Sequence, residues 1–323
     1  MLEIGIMDLC KRGPQQSAGD ALHGTLALAT EADRLGFHRY WVAEHHVEDS
    51  AEACPEVLIP LIAGCTKRIM VGSGGVLLRY YSPLKVAETF LTLEALVPGR
   101  IELGVAKGPG VTRAAVAEAL VSGNRWELTD EAFDRKVFEL GRLLANAVSP
   151  SSDGAAGVRA RPYGVPPPPL WVLGSGSKSQ RLASDLGSSY ACALLFPGGM
   201  GLGPQLIADY RRDFGTPNTP GATPRACIAL SVVTAENEQQ AIEQNRAFVS
   251  MGLLESNVVG SPDQCAARIE AIAAEHRATE VLLANWHIDP AQRIATFQRL
   301  ADALKLPARH TRANPQPAPE AVA

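Results

Sequence analysis

YWVAEHH (40–46), PEVLIPLIAGCTKRIMVGSGGVLL (55–78) and SPLKVAETFLTLEALVPGRIELGVAKGPG (82–110) follow one another with short gaps. Within them, three apolar runs at 39–43, 69–73 and 101–105 read as buried strands. Each ends in a chemical cluster: Glu44-His45-His46, Gly72-Ser73-Gly74-Gly75 and Lys107-Gly108. The stretches between them carry helical periodicity. Polar or glycine-rich clusters just beyond strand C-termini are where α/β barrels and open α/β sheets place their active sites.

The same rhythm extends in both directions. Five further apolar runs read as strands at 3–7, 170–174, 190–195, 226–234 and 280–285. They are near-continuous rather than alternating, as parallel strands covered on both faces are. Helical patterns fill 20–36, 55–65, 84–96, 130–147, 179–187, 203–214, 236–251, 262–275 and 290–304. Asp20 is placed to cap the first helix and Gly36 to stop it. Eight strand–helix alternations predict a (β/α)8 TIM barrel over 1–307, a single domain with rim insertions. A doubly wound sheet is the competing arrangement. Three segments break the rhythm: 149–169, 196–204 and 215–224, all rich in Gly, Pro or Ser and read as loops. The tail 308–323, with Pro315, Pro317 and Pro319, is expected to be disordered.

Composition narrows the functions. The chain has 323 residues, 46% hydrophobic and 20% charged, with a formal net charge of −4. This balance gives no electrostatic case for nucleic acid or an anionic membrane. No apolar run approaches the roughly 20 residues that span a bilayer. The opening MLEIGIMDLC reads as a first strand, not a signal peptide. Cys10, Cys54, Cys65, Cys192, Cys227 and Cys265 show no CxxC spacing. Reduced thiols in a cytoplasmic protein are expected, with no metal site.

The clusters can be weighed from their chemistry. Strand alternation turns His45 to one side and Glu44 and His46 to the other. An imidazole at a rim can act as acid, base or donor, although a structural pair is equally compatible with the spacing. HExxH spacing is absent. Gly72 to Gly75 is either a β-bulge or a close backbone approach. Gly174-Ser175-Gly176-Ser177-Lys178-Ser179 joins a strand to a helix, where backbone N–H groups bind phosphate. It is not a P-loop, and Ser179 takes the third glycine position of GxGxxG. Asn285, Trp286 and His287 follow the eighth strand; packing against the closing helix explains the last two. Arg79, Tyr80 and Tyr81 are placed to shape a substrate mouth.

Together WVAEHH, VGSGGVLL, SPLKVAE, the LxxLxPGRIELGV pattern and LWVLGSGSKSQRLASDLG resemble, in that order, the bacterial luciferase-like flavin-dependent monooxygenases. The resemblance implies a barrel. It also implies reduced FMN as co-substrate, supplied by a separate flavin reductase, and dioxygen. One oxygen atom goes to a small organic substrate. In this family His45 would be the catalytic residue, with Glu44 orienting a neighbour. A non-prolyl cis peptide at Gly74–Gly75 would lie under the flavin ring. Lys107 stands where many relatives have an arginine at the flavin phosphate, and Gly174, Ser175, Gly176, Ser177 and Ser179 would form the phosphate loop. Some relatives carry a cysteine where Ala106 stands, so no thiol role transfers. The branch it most resembles includes natural-product tailoring oxygenases. The family often dimerises through the helices at 55–65 and 84–96, so a homodimer is expected. Residues 47–53 and Arg79 to Tyr81 depart from the family pattern. Two rivals remain: an F420-dependent oxidoreductase of the same fold, and a non-catalytic flavin-binding or scaffolding relative.

Overall fold

The computed structural model describes residues 2–108, 110–148, 157–196, 199–215 and 223–308. Among the described residues the strands are β1 (Glu3–Asp8), β2 (Arg39–Val42), β3 (Met70–Ser73), β4 (Val76–Leu77), β5 (Ile101–Ala106), β6 (Leu170–Gly174), β7 (Ser189–Ala193), β8 (Ala226–Thr234), β9 (Val258–Gly260) and β10 (Glu280–Ala284). The helices are α1 (Ala18–Leu35), α2 (Pro55–Cys65), α3 (Pro83–Leu96), α4 (Ala114–Leu120), α5 (Asp130–Ala145), α6 (Ser177–Leu186), α7 (Gly199–Arg212), α8 (Glu238–Ser250), α9 (Pro262–Glu275) and α10 (Pro290–Ala303).

All strand pairs between these elements are parallel. The order β10-β1-β2-β3-β5-β6-β7-β8 closes on itself through pairing of β10 with β8. The fold is therefore a (β/α)8 TIM barrel, as the alternation predicts. β4 adds to the edge of β5 and β9 to the end of β8. No helix among the described residues is long and apolar enough to cross a membrane.

Period-2 alternation sorts the strand side chains into two layers. Tyr40 and Val42 face outward into the layer that the helices cover, with Phe90, Val137, Leu182 and Phe297. Trp41 faces inward, with Met7, Trp171, Leu173, Cys227, Leu282 and Trp286. Trp41 and Trp171 meet edge to face, with centroids 5.3 Å apart. Near the strand N-termini the inner layer is ionic. Arg39, 2% exposed, lies 3.2 Å from Glu102 and 2.5 Å from Glu280, and Trp41 Nε1 donates to Glu102 at 2.7 Å. Guanidinium and carboxylates there compensate one another's desolvation.

Helix boundaries follow local chemistry, with three departures from the sequence reading, the first being α4 (Ala114–Leu120), a short helix outside the expected helical segments. Ser17, not Asp20, caps α1, accepting from the Asp20 N–H; Gly36 stops the helix at φ 89°. The stretch expected as a loop at 196–204 is helical from Gly199 onward. Its glycines serve packing: a Cβ on Gly203 would lie 2.4 Å from His276 Nε2. Glycine there lets α7 approach β7 and α9 closely rather than freeing the chain. Residues 149–156 and 216–222 of the other two expected loops, and 309–323 of the expected tail, lie outside the described residues.

Candidate active site

Parallel strands in a closed barrel bring all their C-terminal ends to one rim. At the exit of β2, the Ala43 N–H donates to Asp8 O, and the His46 N–H donates to Gly110 O at 2.7 Å. These bonds hold the EHH stretch between the exits of β1 and β5. Continuing the alternation from inward Trp41 puts His45 on the barrel side. Glu44 and His46 fall on the other, as the sequence predicts.

Glu44 is 2% exposed and accepts three hydrogen bonds. His46 Nε2 lies 2.7 Å from Oε1, Tyr81 Oη donates to the same oxygen at 2.7 Å, and the Leu77 N–H donates to Oε2 at 2.8 Å. Burial and the Glu44 carboxylate push the Tyr81 phenol well up, so it stays protonated as the donor. The ring of Tyr80 stands edge-on to His46 at 6.2 Å. Glu44 thus fixes its neighbours and is turned away from the barrel axis. Tyr81, expected at a substrate mouth, is one of its supports.

His45 has a different environment. Its Nδ1 is buried and has no hydrogen-bond partner among the described residues. Burial pushes the imidazole pKa down to about 4, with Lys11 and His46 adding to the effect and Asp49 opposing it. The ring is therefore neutral near pH 7, offering one N–H and one lone pair. Trp286, expected to pack on the closing helix, instead belongs to the inner layer, and its buried Nε1 has no acceptor among the described residues. His287 packs against Phe248 of α8, centroids 5.0 Å apart, and burial lowers its pKa.

The peptide Gly74–Gly75 is cis, at the position the family pattern indicates. A Cβ on Gly74 would lie 3.0 Å from Trp41, and one on Gly75 would lie 2.8 Å from Gly104 O. Ser73 Oγ donates to Gly104 O at 2.8 Å and accepts from the Gly104 N–H at 3.0 Å, locking β3 to β5. Backbone alone floors the rim beside Trp41. Small inner side chains at Ala106, Ala191, Ala229 and Ala284 accompany it.

β5 and β6 pair directly, so Lys107 and the 174–179 loop exit side by side. A Cβ on Gly174 would lie 2.3 Å from Ser179 Oγ, so only glycine allows this turn. Gly176 is the N-cap of α6 and supplies no side-chain cap. The first-turn N–H groups consequently keep their affinity for an anion. Ser179 donates to Gly176 O at 2.8 Å, which commits its proton to shaping the turn. Ser175 and Ser177 make no side-chain hydrogen bond among the described residues. Lys107 Nζ and Lys178 Nζ both lie 3.0 Å from Asp130, on Oδ1 and Oδ2 respectively. Arg79 Nη2 is 3.8 Å from the same carboxylate. Two ammonium groups and an uncapped helix N-terminus fit a phosphate, and the unmet polar atoms of His45 and Trp286 fit a heterocycle at the rim.

Asp130 and Lys178 escape the sequence reading because their partners are distant in the chain. So does Glu52, 5% exposed, whose carboxyl oxygens have no hydrogen bond among the described residues. Burial pushes its pKa up to about 8. The Cys54 N–H opposes this without reaching hydrogen-bond geometry, and Glu44, Glu56 and Asp8 add to it.

A family model described as luciferase-like monooxygenase matches residues 2–256. The N-acetyl-S-alkylcysteine monooxygenase of Bacillus subtilis (strain 168) is 34% identical over 277 residues, covering 84% of this chain and 80% of that protein. The apo form of MsnO8 superposes with a TM-score of 0.83 at 29% identity, over 96% of this chain and 100% of that one. Two more distant structures, each 17% identical over 94% of this chain, share the fold. One is the oxygenating constituent of 3,6-diketocamphane monooxygenase in complex with FMN, with a TM-score of 0.71 over 98% of its chain. The other is an F420-dependent secondary alcohol dehydrogenase, with a TM-score of 0.65 over 99% of its chain. The fold therefore houses both FMN and F420. On the family match and these relatives, the chain belongs to the luciferase-like monooxygenase family.

Proposed function

We propose that this protein is a two-component FMN-dependent monooxygenase. A separate reductase supplies reduced FMN, and the protein directs dioxygen to a small organic substrate. The observation that carries this reading is the convergence of Lys107, Lys178 and the uncapped α6 N-terminus beside the His45 rim. The FMN phosphate is a monoester, largely dianionic near neutral pH, and two ammonium groups plus helix N–H groups match that charge.

Bound reduced FMN would supply two electrons, with which one atom of dioxygen enters the substrate and the other leaves as water. The chain's own contributions are positional. Lys107, Lys178 and the N–H groups after Gly176 hold the phosphate. Gly74 and Gly75 present bare backbone to the ring. Trp41 and Trp286 keep water out. His45, a neutral imidazole whose Nδ1 is unmet, would hydrogen-bond the bound reactants, and Glu44 steadies the neighbouring His46. A largely apolar inner layer suits an organic substrate. S-alkylcysteine thioethers are the first class to screen, because a relative at 34% identity is named for them. A role in natural-product tailoring is part of this proposal.

A homodimer through α2 and α3 completes it. Val57 and Leu61 on α2 and Leu96 on α3 are exposed. A groove of about 460 Å3 lined by Glu56 of α2, by Tyr80 and Tyr81, and by Val86 and Phe90 of α3 lies on the same two helices.

Anaerobic titration with reduced FMN and with reduced F420 tests the cofactor. Binding of F420 but not FMN, with hydride transfer in the absence of dioxygen, would replace the monooxygenase reading. Binding of FMN with no oxygenated product from any thioether or other organic probe would leave a flavin-binding relative without turnover.

A further inference from the structure

The cations that would receive a phosphate already hold an anion. Asp130 is the first residue of α5 and is nearly half exposed. Its Oδ1 faces Lys107 and Arg79, and its Oδ2 faces Lys178. Among the described residues, the only other carboxylate within ion-pair distance of these three cations is Asp134, 3.5 Å from Lys178. One carboxylate thus spans two ammonium groups, one just past β5 and one in α6, each oxygen taking one, beside a helix N-terminus that no side chain caps.

We propose that Asp130 is an internal stand-in for the cofactor phosphate, a specificity-determining carboxylate that a phosphomonoester must displace. This rests on the flavin reading above and adds a residue to it. A dianion with three free oxygens can engage both lysines and the α6 N–H groups at once, which the tethered carboxylate of α5 does not do. The seat is therefore never left as bare like charges when the cofactor departs, and the cost of displacement lowers affinity for the phosphorylated ligand. A cofactor that must leave after each cycle benefits from a weak hold. Lys178 and Lys107 hold the Asp130 carboxyl below the usual carboxylate range, so it remains an anion throughout the neutral range.

Anaerobic equilibrium titration of reduced FMN and reduced riboflavin, with no turnover, reads the effect directly. Asp130→Asn removes the competing charge and keeps the size. Removing one negative charge about 4 Å from a dianion at the surface should tighten FMN binding about tenfold at low salt. Riboflavin, lacking the phosphate, should bind wild type and variant alike. Asp130→Ser should act in the same direction, and Asp134→Asn should act more weakly, because Asp134 reaches only Lys178. Unchanged or weaker FMN binding in Asp130→Asn and Asp130→Ser, with melting temperatures intact, overturns the proposal while leaving wild-type flavin binding in place. An equal gain for riboflavin also overturns it, because the effect would not concern phosphate. If wild type binds neither flavin, the cofactor reading itself fails, and the stand-in role fails with it.

Discussion

Glu44 Oε1 and His46 Nε2 stand 2.7 Å apart on the side of β2's exit that faces away from the barrel axis, while His45 between them turns inward. The EHH word therefore contains two kinds of histidine. One is tied to a buried carboxylate, and the other has an unmet ring nitrogen. Glu44→Ala should leave the Leu77 N–H, Tyr81 Oη and His46 without their acceptor and cost about 2–4 kcal/mol of stability. Urea unfolding followed by tryptophan fluorescence measures it. A cost below about 0.5 kcal/mol would show that water replaces the carboxylate.

Lys107→Ala removes one of two ammonium groups from the proposed phosphate seat. Affinity for reduced FMN should fall by about 1–2 kcal/mol, the scale of one charge-assisted hydrogen bond to a surface group. Anaerobic titration decides the matter, and unchanged affinity would take Lys107 out of the site.

Glu52 gives the pH dependence a sign. Its folded pKa is raised from 4.5 to about 8, so the native state holds a proton that the unfolded state releases. The stability tied to that proton is fully present below about pH 4.5 and is lost as pH rises through about 8. Glu52→Gln should flatten this part of the profile and gain up to a few kcal/mol over wild type near pH 8. Denaturant midpoints at pH 5, 6.5 and 8 test it. Parallel profiles for the two proteins would mean that Glu52 is solvated and ionised.

The ionic floor of the barrel should behave as one unit with the rest. Glu102→Leu leaves Arg39 with only Glu280 and strips Trp41 Nε1 of its acceptor. A loss of about 3–5 kcal/mol is expected, because an under-compensated buried charge remains. We propose that the barrel unfolds as one domain, so calorimetry should show a single transition shifted downward. Two separated transitions would contradict that.

The strand–helix order and the inward turn of His45 are legible in the sequence because both follow from local periodicity. Their hydrophobic runs sit where the structure places β1 to β10, apart from the short β4 and β9. The Gly74–Gly75 peptide was legible only through family resemblance, since composition alone also allows a bulge. What was not legible depends on long-range placement. Asp130 meets Lys107 and Lys178 because α5 packs back toward the exits of β5 and β6. The burial of Glu52 is a property of its surroundings and leaves no trace in VEDSAEA. The sequence points to a loop at 196–204 because its glycines suggest turns, but glycine also marks close packing, and Gly203 serves that against His276.

We propose that His45 directs dioxygen chemistry at the rim. The most direct measurement is the ratio of oxygenated product to hydrogen peroxide per reduced FMN consumed, for wild type, His45→Ala and His46→Ala. His45→Ala should fold normally and bind reduced FMN as wild type does. Its product formation should fall by about 10²-fold or more, the scale for loss of a positioned acid–base or hydrogen-bonding group, with hydrogen peroxide released instead. His46→Ala should lose stability, through its bond to Glu44, more than it loses product. A His45→Ala variant that keeps the wild-type ratio and rate, while His46→Ala loses both, would contradict the account.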